Sequence, residues 1–337
     1  MTLIRSVWHT LQAMERSSFH NEREGKKGGT AYDTSLTLLM KCKGFFYVQA
    51  RIWKKKGMII MRIMLKDGSV KEYGQPMSAY EIAADISEGL ARVACAAWVG
   101  GKVVDLRTVI DKDCEVSILT ANDQEGLRVI RHTASHVLAE AVKRLFPEAK
   151  LAIGPSIDTG YYYDFEHAPF SREDLDKLEG EMKKIIKEGR KLEKFTLPRE
   201  EAIKFMEEKK EPYKVELIRD LPEDAEISFY SQGDFVDLCA GPHLMSTKGI
   251  KAFKLTSSSG AYWRGKSENA MLQRIYGTAF NKKEELAEYL EYLDNIKNRD
   301  HNKLGREMEL FTTVDVIGQG LPLLMPKGTK MVQTLQR

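Results

Sequence analysis

The 337-residue chain is poor in cysteine, carries little net charge and has no long apolar run. Its four cysteines, Cys42, Cys95, Cys114 and Cys239, stand far apart with no Cys-x-x-Cys pair, so no disulfide framework is indicated and a reducing cytoplasm fits best. Basic residues exceed acidic ones by 52 − 49 = 3. The chain is therefore no general polycation, and any contact with RNA must come from local patches. No apolar stretch approaches the ~20 residues of a membrane span, and the first residues lack the apolar core of a secretion signal. No internal repeat is evident. What is present is ordinary folded-protein composition, 42% apolar and 30% charged. The length suggests two or three domains.

Residues 1–57 read as an unassigned extension. A polar stretch runs into Gly25-Lys26-Lys27-Gly28-Gly29, and the apolar patches at 36–40 and 45–48 have no period. The expectation is that the chain proper starts at Met58 or Met61 and that the extension is a tail or a misassigned start. A basic arm touching RNA is the competing account.

From Met61 the pattern sharpens. A short strand at 61–65 meets Lys66-Asp67-Gly68-Ser69, a hairpin signal because Asp-Gly tolerates positive φ. Ser78 and Glu81 form a capping box that opens a helix with Ile82, Ile86 and Leu90 on one face. Further strands are expected at 96–99, 103–106 and 114–119. Strands, one helix and more strands within about sixty residues predict a β-grasp.

Residues 126–145 predict a strong helix whose apolar face runs from Leu127 through Ile130, Ala134, Val137, Leu138 and Ala141 to Leu145. His132 and His136 fall on the opposite face. Downstream come an aromatic strand at 160–165 and a helix capped by Ser171 and Asp174, with Leu175, Leu178, Met182 and Ile185 inward. A further helix is capped around Asn281–Glu284, with Leu286, Leu290, Leu293 and Ile296 inward. The fold class expected is α+β and multidomain.

The chemistry sits in two pieces, His132-x3-His136 and Cys239-x3-His243. At i and i+4 two imidazoles share one helix face. Asp237-Leu238-Cys239-Ala240-Gly241-Pro242-His243 is a Gly-Pro turn that can bring a thiol and an imidazole to one point. Three imidazoles and a thiol make a tetrahedral zinc set and equally an acid–base set near neutral pH. A lone His pair at this spacing is more often structural, and only the added Cys-x3-His raises it. Lys214 reads as a solvated lysine or a positive charge for an anion. Asp237 reads as a turn aspartate or a partner for an imidazole or amine. Tyr161–Tyr163 fit sheet packing better than base stacking. Residues 257–260 fit an ordinary loop better than a phosphate cradle. Trp263 and Arg264 fit a packing pair as well as a nucleotide bracket.

Taken in order, these pieces resemble the bacterial threonyl-tRNA synthetase family. The resemblance rests on the β-grasp unit, like the TGS domain of that family, and on His132-Thr133-Ala134-Ser135-His136 with Gly154-Pro155 and the strand at 160–165. It continues through the motif at 237–243, residues 252–255, 260–265 and 272–278, and ends in Arg299-Asp300-His301-Asn302-Lys303-Leu304-Gly305-Arg306. Ala240 stands where family members often have arginine.

The resemblance implies a TGS domain at 58–122 and an α+β editing domain of the threonyl/alanyl type at 123–278, with its second additional part from about 227. A linker helix at 279–310 and the start of a class II catalytic domain at 311–337 follow. It also implies hydrolysis of the seryl ester of tRNA(Thr), with His132, His136, Cys239 and His243 lining the pocket, Asp237 holding the aminoacyl group and Lys214 orienting water or stabilising developing negative charge. No cofactor is implied for editing, and zinc on the Cys/His set stays open. ATP and a catalytic zinc belong to the remainder of the class II domain. Threonine activation is accordingly not expected of residues 1–337, and residues 311–337 are expected to lack their partner elements. The implied partner is tRNA(Thr), with no membrane, and a homodimer only for the full-length enzyme. A non-catalytic tRNA-binding module with a structural zinc is the alternative.

Overall fold

A computed structural model describes residues 60–336, apart from Asp315 and Gln319. The extension at 1–57, with Cys42 and the basic arm, lies outside the described residues.

Residues 61–120 form a five-stranded sheet in the order Val70–Tyr73, Met61–Leu65, Cys114–Thr120, Ala94–Val99, Lys102–Val104. The two central strands, Met61–Leu65 and Cys114–Thr120, run parallel and the other pairs are antiparallel. This is the β-grasp arrangement. Helix Ala79–Ile86 starts where expected, at a Ser78–Glu81 capping box, and buries Ala79, Ile82 and Ala83 against Ile63, Ala97, Leu106 and Val116. The single helix expected to carry Ile82, Ile86 and Leu90 is two. Extended backbone at Ser87 breaks it, and the Ser87 hydroxyl caps a second helix, Glu88–Val93.

Helix Gln124–Leu145 is the axis of the next unit. It packs on Ala94–Val99 of the β-grasp sheet, on strands Gly160–Glu166 and Met271–Phe280, and on helix Arg172–Glu188. Its middle is covered on all sides, residues 133–142 being buried. It is thus a central helix, covered on the face opposite its apolar stripe as well. Leu145, at its end, is 40% exposed. Strands Ala252–Tyr262, Met271–Phe280, Gly160–Glu166 and Lys150–Leu151 make an antiparallel sheet on one flank. A second sheet, Leu192–Thr196, Ser228–Gln232 and Phe235–Leu238, lies with helices Arg199–Glu208 and Pro212–Asp220 around Phe229, Ala202, Met206 and Ile218. Helix Arg172–Glu188 is capped by Ser171 and Asp174 and buries Leu175, Leu178, Met182 and Ile185, as its pattern requires.

Helix Lys283–Asn298 starts one residue later than expected, with Lys282 at the cap position donating its backbone N–H to the Glu285 carboxylate. It packs on the long β-hairpin, but Ile296 stays 48% exposed instead of turning inward. Beyond helix His301–Glu307, residues Phe311–Thr313 and Pro322–Leu324 form a two-stranded ribbon followed by helix Pro326–Leu335. Apolar side chains such as Leu324 and Leu335 remain exposed there.

Candidate active site

Three elements bring the six candidate residues together. The first is helix Gln124–Leu145, which presents His132 and His136 one turn apart. The second is strand Phe235–Leu238 with the turn after it, which together deliver Asp237, Cys239 and His243. A cis bond joins Gly241 and Pro242, and Gly241 has φ +77°. A Cβ on Gly241 would lie 2.2 Å from the Tyr230 hydroxyl, so the turn needs glycine both for backbone angle and for space. The third is helix Pro212–Asp220. Pro212 sits at its first position, where a missing N–H costs nothing, and Lys214 follows in the first turn.

The rings of His132 and His243 are 4.3 Å apart, and those of His136 and His243 are 4.2 Å apart. The Cys239 Sγ lies 3.4 Å from His132 Nε2 and 3.2 Å from His243 Nε2. His132 and Cys239 are half-buried and form the mouth, whereas His136, His243, Asp237 and Lys214 lie deeper. Burial lowers all three imidazoles: His132 to about 4, His136 to about 3, and His243 well below the usual histidine range. All three are neutral at pH 7. Burial pushes the Cys239 thiol up to about 12, against the Gly241 N–H it accepts.

Hydrogen-bond logic assigns the His243 tautomer. The Thr133 hydroxyl donates to the Val129 carbonyl, so its oxygen is left to accept. It accepts from the Leu244 N–H at 3.0 Å and faces His243 Nδ1 at 3.3 Å. Nδ1 therefore carries the proton, and Nε2 turns a lone pair towards the neutral Cys239 thiol.

Lys214 is not the solvated lysine favoured by sequence alone. It is 3% exposed, with Nζ 2.6 Å from Asp237 Oδ1. The contact is an ion pair whose angles fall short of a directional hydrogen bond, which leaves Oδ1 without one. Asp237 lies in a strand, not a turn. Burial raises its carboxyl, but Lys214, His136 and the Tyr163 hydroxyl together outweigh this and hold it below the usual range. Tyr163 donates to Asp237 Oδ2 at 2.6 Å. An ion pair this deep is favourable only while both members are present.

The Cys/His set meets the donor chemistry of zinc. One ligand atom from each of His132, His136, Cys239 and His243 lies within 4.8 Å of the others. Two ligands of a tetrahedral zinc stand roughly 3.5 Å apart, close to the two sulfur–nitrogen separations above. Binding would require the thiol to give up its proton.

Other candidates separate. Tyr161 and Tyr163 are core residues, and Tyr162 packs under the Arg274 guanidinium at 3.8 Å. Residues 257–260 are strand, not loop, just past an irregularity between Leu255 and Ser257. Trp263 is buried and Arg264 pairs with Glu216 and Asp220, so the packing reading holds for both. Ala240 is exposed, and its short side chain leaves the Cys239 and His243 positions intact. A cavity of about 390 Å³ beside the site, lined in part by Glu140, Lys143, Arg144 and Arg190, touches none of the six. Within it Lys143 pairs with Glu211, and Arg144 with Glu140. Sequence reasoning missed Thr133 and Tyr163 as members of the site. It also missed Gln232, which donates to the His136 carbonyl and to Glu140. The first two stood inside quoted motifs, and Gln232 carried no signal.

Two family profiles match the chain. One, described as the threonyl and alanyl tRNA synthetase second additional domain, covers residues 227–276 and so contains Asp237, Cys239 and His243. The other, the TGS domain, covers residues 61–120. The chain resembles threonine-tRNA ligase. It is 64% identical over 279 residues to the protein of that name from Clostridium botulinum (strain Alaska E43 / Type E3), covering 82% of this chain and 43% of the relative. It is 61% identical over 279 residues to that of Clostridium perfringens (strain 13 / Type A), with the same coverage. To that of Acetivibrio thermocellus it is 60% identical over 278 residues, covering 44% of the relative. The chain thus spans less than half the length of these curated relatives. Among the described residues, no helix is long and apolar enough to cross a membrane.

Proposed function

We propose that this chain hydrolyses the ester of mischarged seryl-tRNA(Thr), in the cytoplasm, as the editing portion of a threonine-tRNA ligase. The observation that carries this reading is the gathering of three neutral imidazoles and a thiol beside a buried Lys214–Asp237 ion pair, in a unit with the threonyl/alanyl additional domain. Threonine and serine differ by one methyl group. A pocket gains only about 1–3 kcal/mol from such a difference, so accurate charging benefits from a second, hydrolytic sieve.

Each residue then has a task. His132, neutral and at the mouth, accepts a hydrogen bond from the attacking water and takes its proton as the C–O bond forms. Lys214, fixed by Asp237, stabilises the negative charge that develops on the ester carbonyl oxygen. Asp237 receives the substrate's ammonium group. His243 and Cys239 wall the space in which serine fits and the methyl of threonine does not. The ester bond breaks, and the proton passes to the departing ribose oxygen of the terminal adenosine.

The test is deacylation of seryl-tRNA(Thr) and threonyl-tRNA(Thr) by the whole chain. Faster hydrolysis of the seryl ester is expected, with a loss of about 10²–10⁴ in His132→Ala, as for a general base. Equal hydrolysis of both esters, or full activity in His132→Ala, would overturn the reading.

The tight convergence of the four ligand atoms supports a second reading, a tRNA-binding module built around structural zinc. One tightly held equivalent of zinc, with no hydrolysis of either ester, would favour it.

A further inference from the structure

Asp105 stands out in the β-grasp unit. It is the one buried polar or charged side chain of residues 61–120, and two of its hydrogen bonds reach out of that unit. Strand Lys102–Val104 ends at Asp105, and a tight turn follows, closed by the Thr108 N–H to the Asp105 carbonyl. Leu106 in the turn is fully buried in the β-grasp core, and its carbonyl accepts from the Tyr80 N–H. The turn is therefore anchored from behind. Asp105 Oδ1 accepts from the Arg107 backbone N–H and, with Oδ2, from the Arg107 guanidinium.

In front of the turn lies the segment that carries His243. Asp105 Oδ2 accepts from the His243 N–H at 3.1 Å and from the Tyr230 hydroxyl at 2.9 Å. Arg107 donates to the His243 carbonyl at 3.4 Å, to the Leu244 carbonyl at 3.0 Å and to the Leu192 carbonyl. Both polar atoms of the His243 residue backbone are thus held by the β-grasp unit. Tyr230, fixed through its hydroxyl, packs its ring 4.5 Å from the His243 ring and fills the space beside Gly241. A planar guanidinium serving several carbonyls while paired to a carboxylate is a rigid fork. Thr133 holds the same ring from the other side, which leaves His243 little freedom.

We propose that Asp105 and Arg107 are positioning residues of the Cys/His site. They fix the turn that carries Cys239 and His243, so the β-grasp unit is a structural part of the site. Neither residue touches substrate in this scheme. Their effect on turnover rests on the hydrolase reading above, whereas their effect on His243 does not. Releasing the turn shifts Nε2 of His243 relative to Cys239 and His132, and a displacement of about 1 Å costs up to about 10² in rate.

The experiment uses the whole chain as wild type, Asp105→Ala, Asp105→Asn and Arg107→Met. It reads seryl-tRNA deacylation and the ring NMR signals of selectively labelled histidine. In Asp105→Ala and Arg107→Met, kcat should fall about tenfold or more with KM held within about twofold, because orientation is lost and not uniform binding. Asp105→Asn retains an acceptor for the His243 N–H and should fall between wild type and alanine. The His243 signals should move in the same order, while those of His167 and His301, distant from the turn, stay put. Unchanged His243 signals with unchanged kcat in the folded variants would overturn the proposal. If wild type hydrolyses neither ester, the hydrolase reading fails and the His243 signals alone decide this one. If Asp105→Ala does not fold, Arg107→Met and Tyr230→Phe decide it on the same two readouts.

Discussion

Between residues 61 and 120 a single polar or charged side chain, Asp105, is buried; the other seventeen in the described structure lie between residues 131 and 278. The β-grasp unit has an aliphatic core of Met61, Ile63, Ile82, Leu106 and Val116, with Lys71–Asp85 at the surface and one inward pair, Asp105–Arg107, where it meets the next unit. The unit that follows has an aliphatic core as well, but threads through it an ion pair, three imidazoles and a thiol. Burying charge costs stability unless every partner is present. The β-grasp unit therefore buries charge only where Asp105 and Arg107 meet the other unit, which gives up part of its stability to hold reactive groups out of water.

The largest break in that comparison comes from Lys214→Ala. Asp237 would be left charged, buried and unpaired, and the loss should be about 3–5 kcal/mol. Lys71→Ala, in a half-exposed pair, should cost less than about 1 kcal/mol. Urea unfolding of both variants measures the difference. The double variant Lys214→Met with Asp237→Asn removes both charges at similar volume and should recover much of the stability but none of the deacylation. Equal costs for the two lysines would mean that Asp237 finds another partner.

Acid should separate the two units next. The three site histidines have folded pKa values below their unfolded value of about 6.5, and the unfolded chain therefore binds more protons. Their contribution is intact above pH 6.5 and is lost as pH falls towards the folded values of about 4 for His132 and about 3 for His136. Each group costs about 1.4 kcal/mol per pH unit across that window. Asp237, held below the usual range, adds its loss only below about pH 4. The β-grasp stretch contains no histidine. In chelator-treated protein, hydrogen exchange corrected for intrinsic rates should show helix Gln124–Leu145 losing protection between pH 6.5 and 4. The Met61–Leu65 and Cys114–Thr120 strands should hold longer. Simultaneous loss in both would show that the units unfold as one.

The sequence was most readable where a local rule decides the structure. The boxes at Ser78 and Ser171, the Asp67-Gly68 hairpin and the i, i+4 pairing of His132 with His136 all follow from neighbours within five residues. Spacing alone leaves Lys214 a solvated lysine or a charge for an anion, because its surroundings come from strands and turns far along the chain and no spacing reveals that Asp237 meets it. The two turns of Ile86 and Leu90 looked continuous because helical periodicity does not register a backbone break at Ser87. Asp105 and Arg107 lay furthest from view: their partners at 192, 230, 243 and 244 are set only by how two units pack. The apolar pattern of helix Gln124–Leu145 was true but incomplete, since its polar face is covered too.

Glycine gives a smaller contrast. Gly68 and Gly241 both have positive φ, +81° and +77°. Around Gly68 nothing lies within 4 Å, so Gly68→Ala should cost only the backbone strain, about 1–3 kcal/mol. Gly241→Ala adds the collision with Tyr230 to a cost of about 1–3 kcal/mol from the backbone. It should also slow deacylation, since the Cys239–His243 turn must move. Thermal unfolding and turnover of the pair check both statements. Retained turnover in Gly241→Ala would mean that Tyr230 yields and the turn does not.

The smallest effect asks whether the two units differ at all outside their interiors. Ser78 and Ser171 make the same capping box, each accepting from the third helical N–H while that residue's carboxylate returns to the cap. Both are at the surface, and neither helix start touches the Cys/His cluster. Ser78→Ala and Ser171→Ala should each cost about 1 kcal/mol, by loss of one hydrogen bond to an otherwise unpaired donor. Deacylation should be unchanged in both, because a frayed first turn leaves Met182, Ile185 and the rest of each core in place. Urea midpoints that fall equally would place the asymmetry entirely in the buried polar groups. A much larger loss for Ser171→Ala would mean that the charge-laden unit sits closer to its unfolding threshold throughout, so that even a surface cap there guards the site.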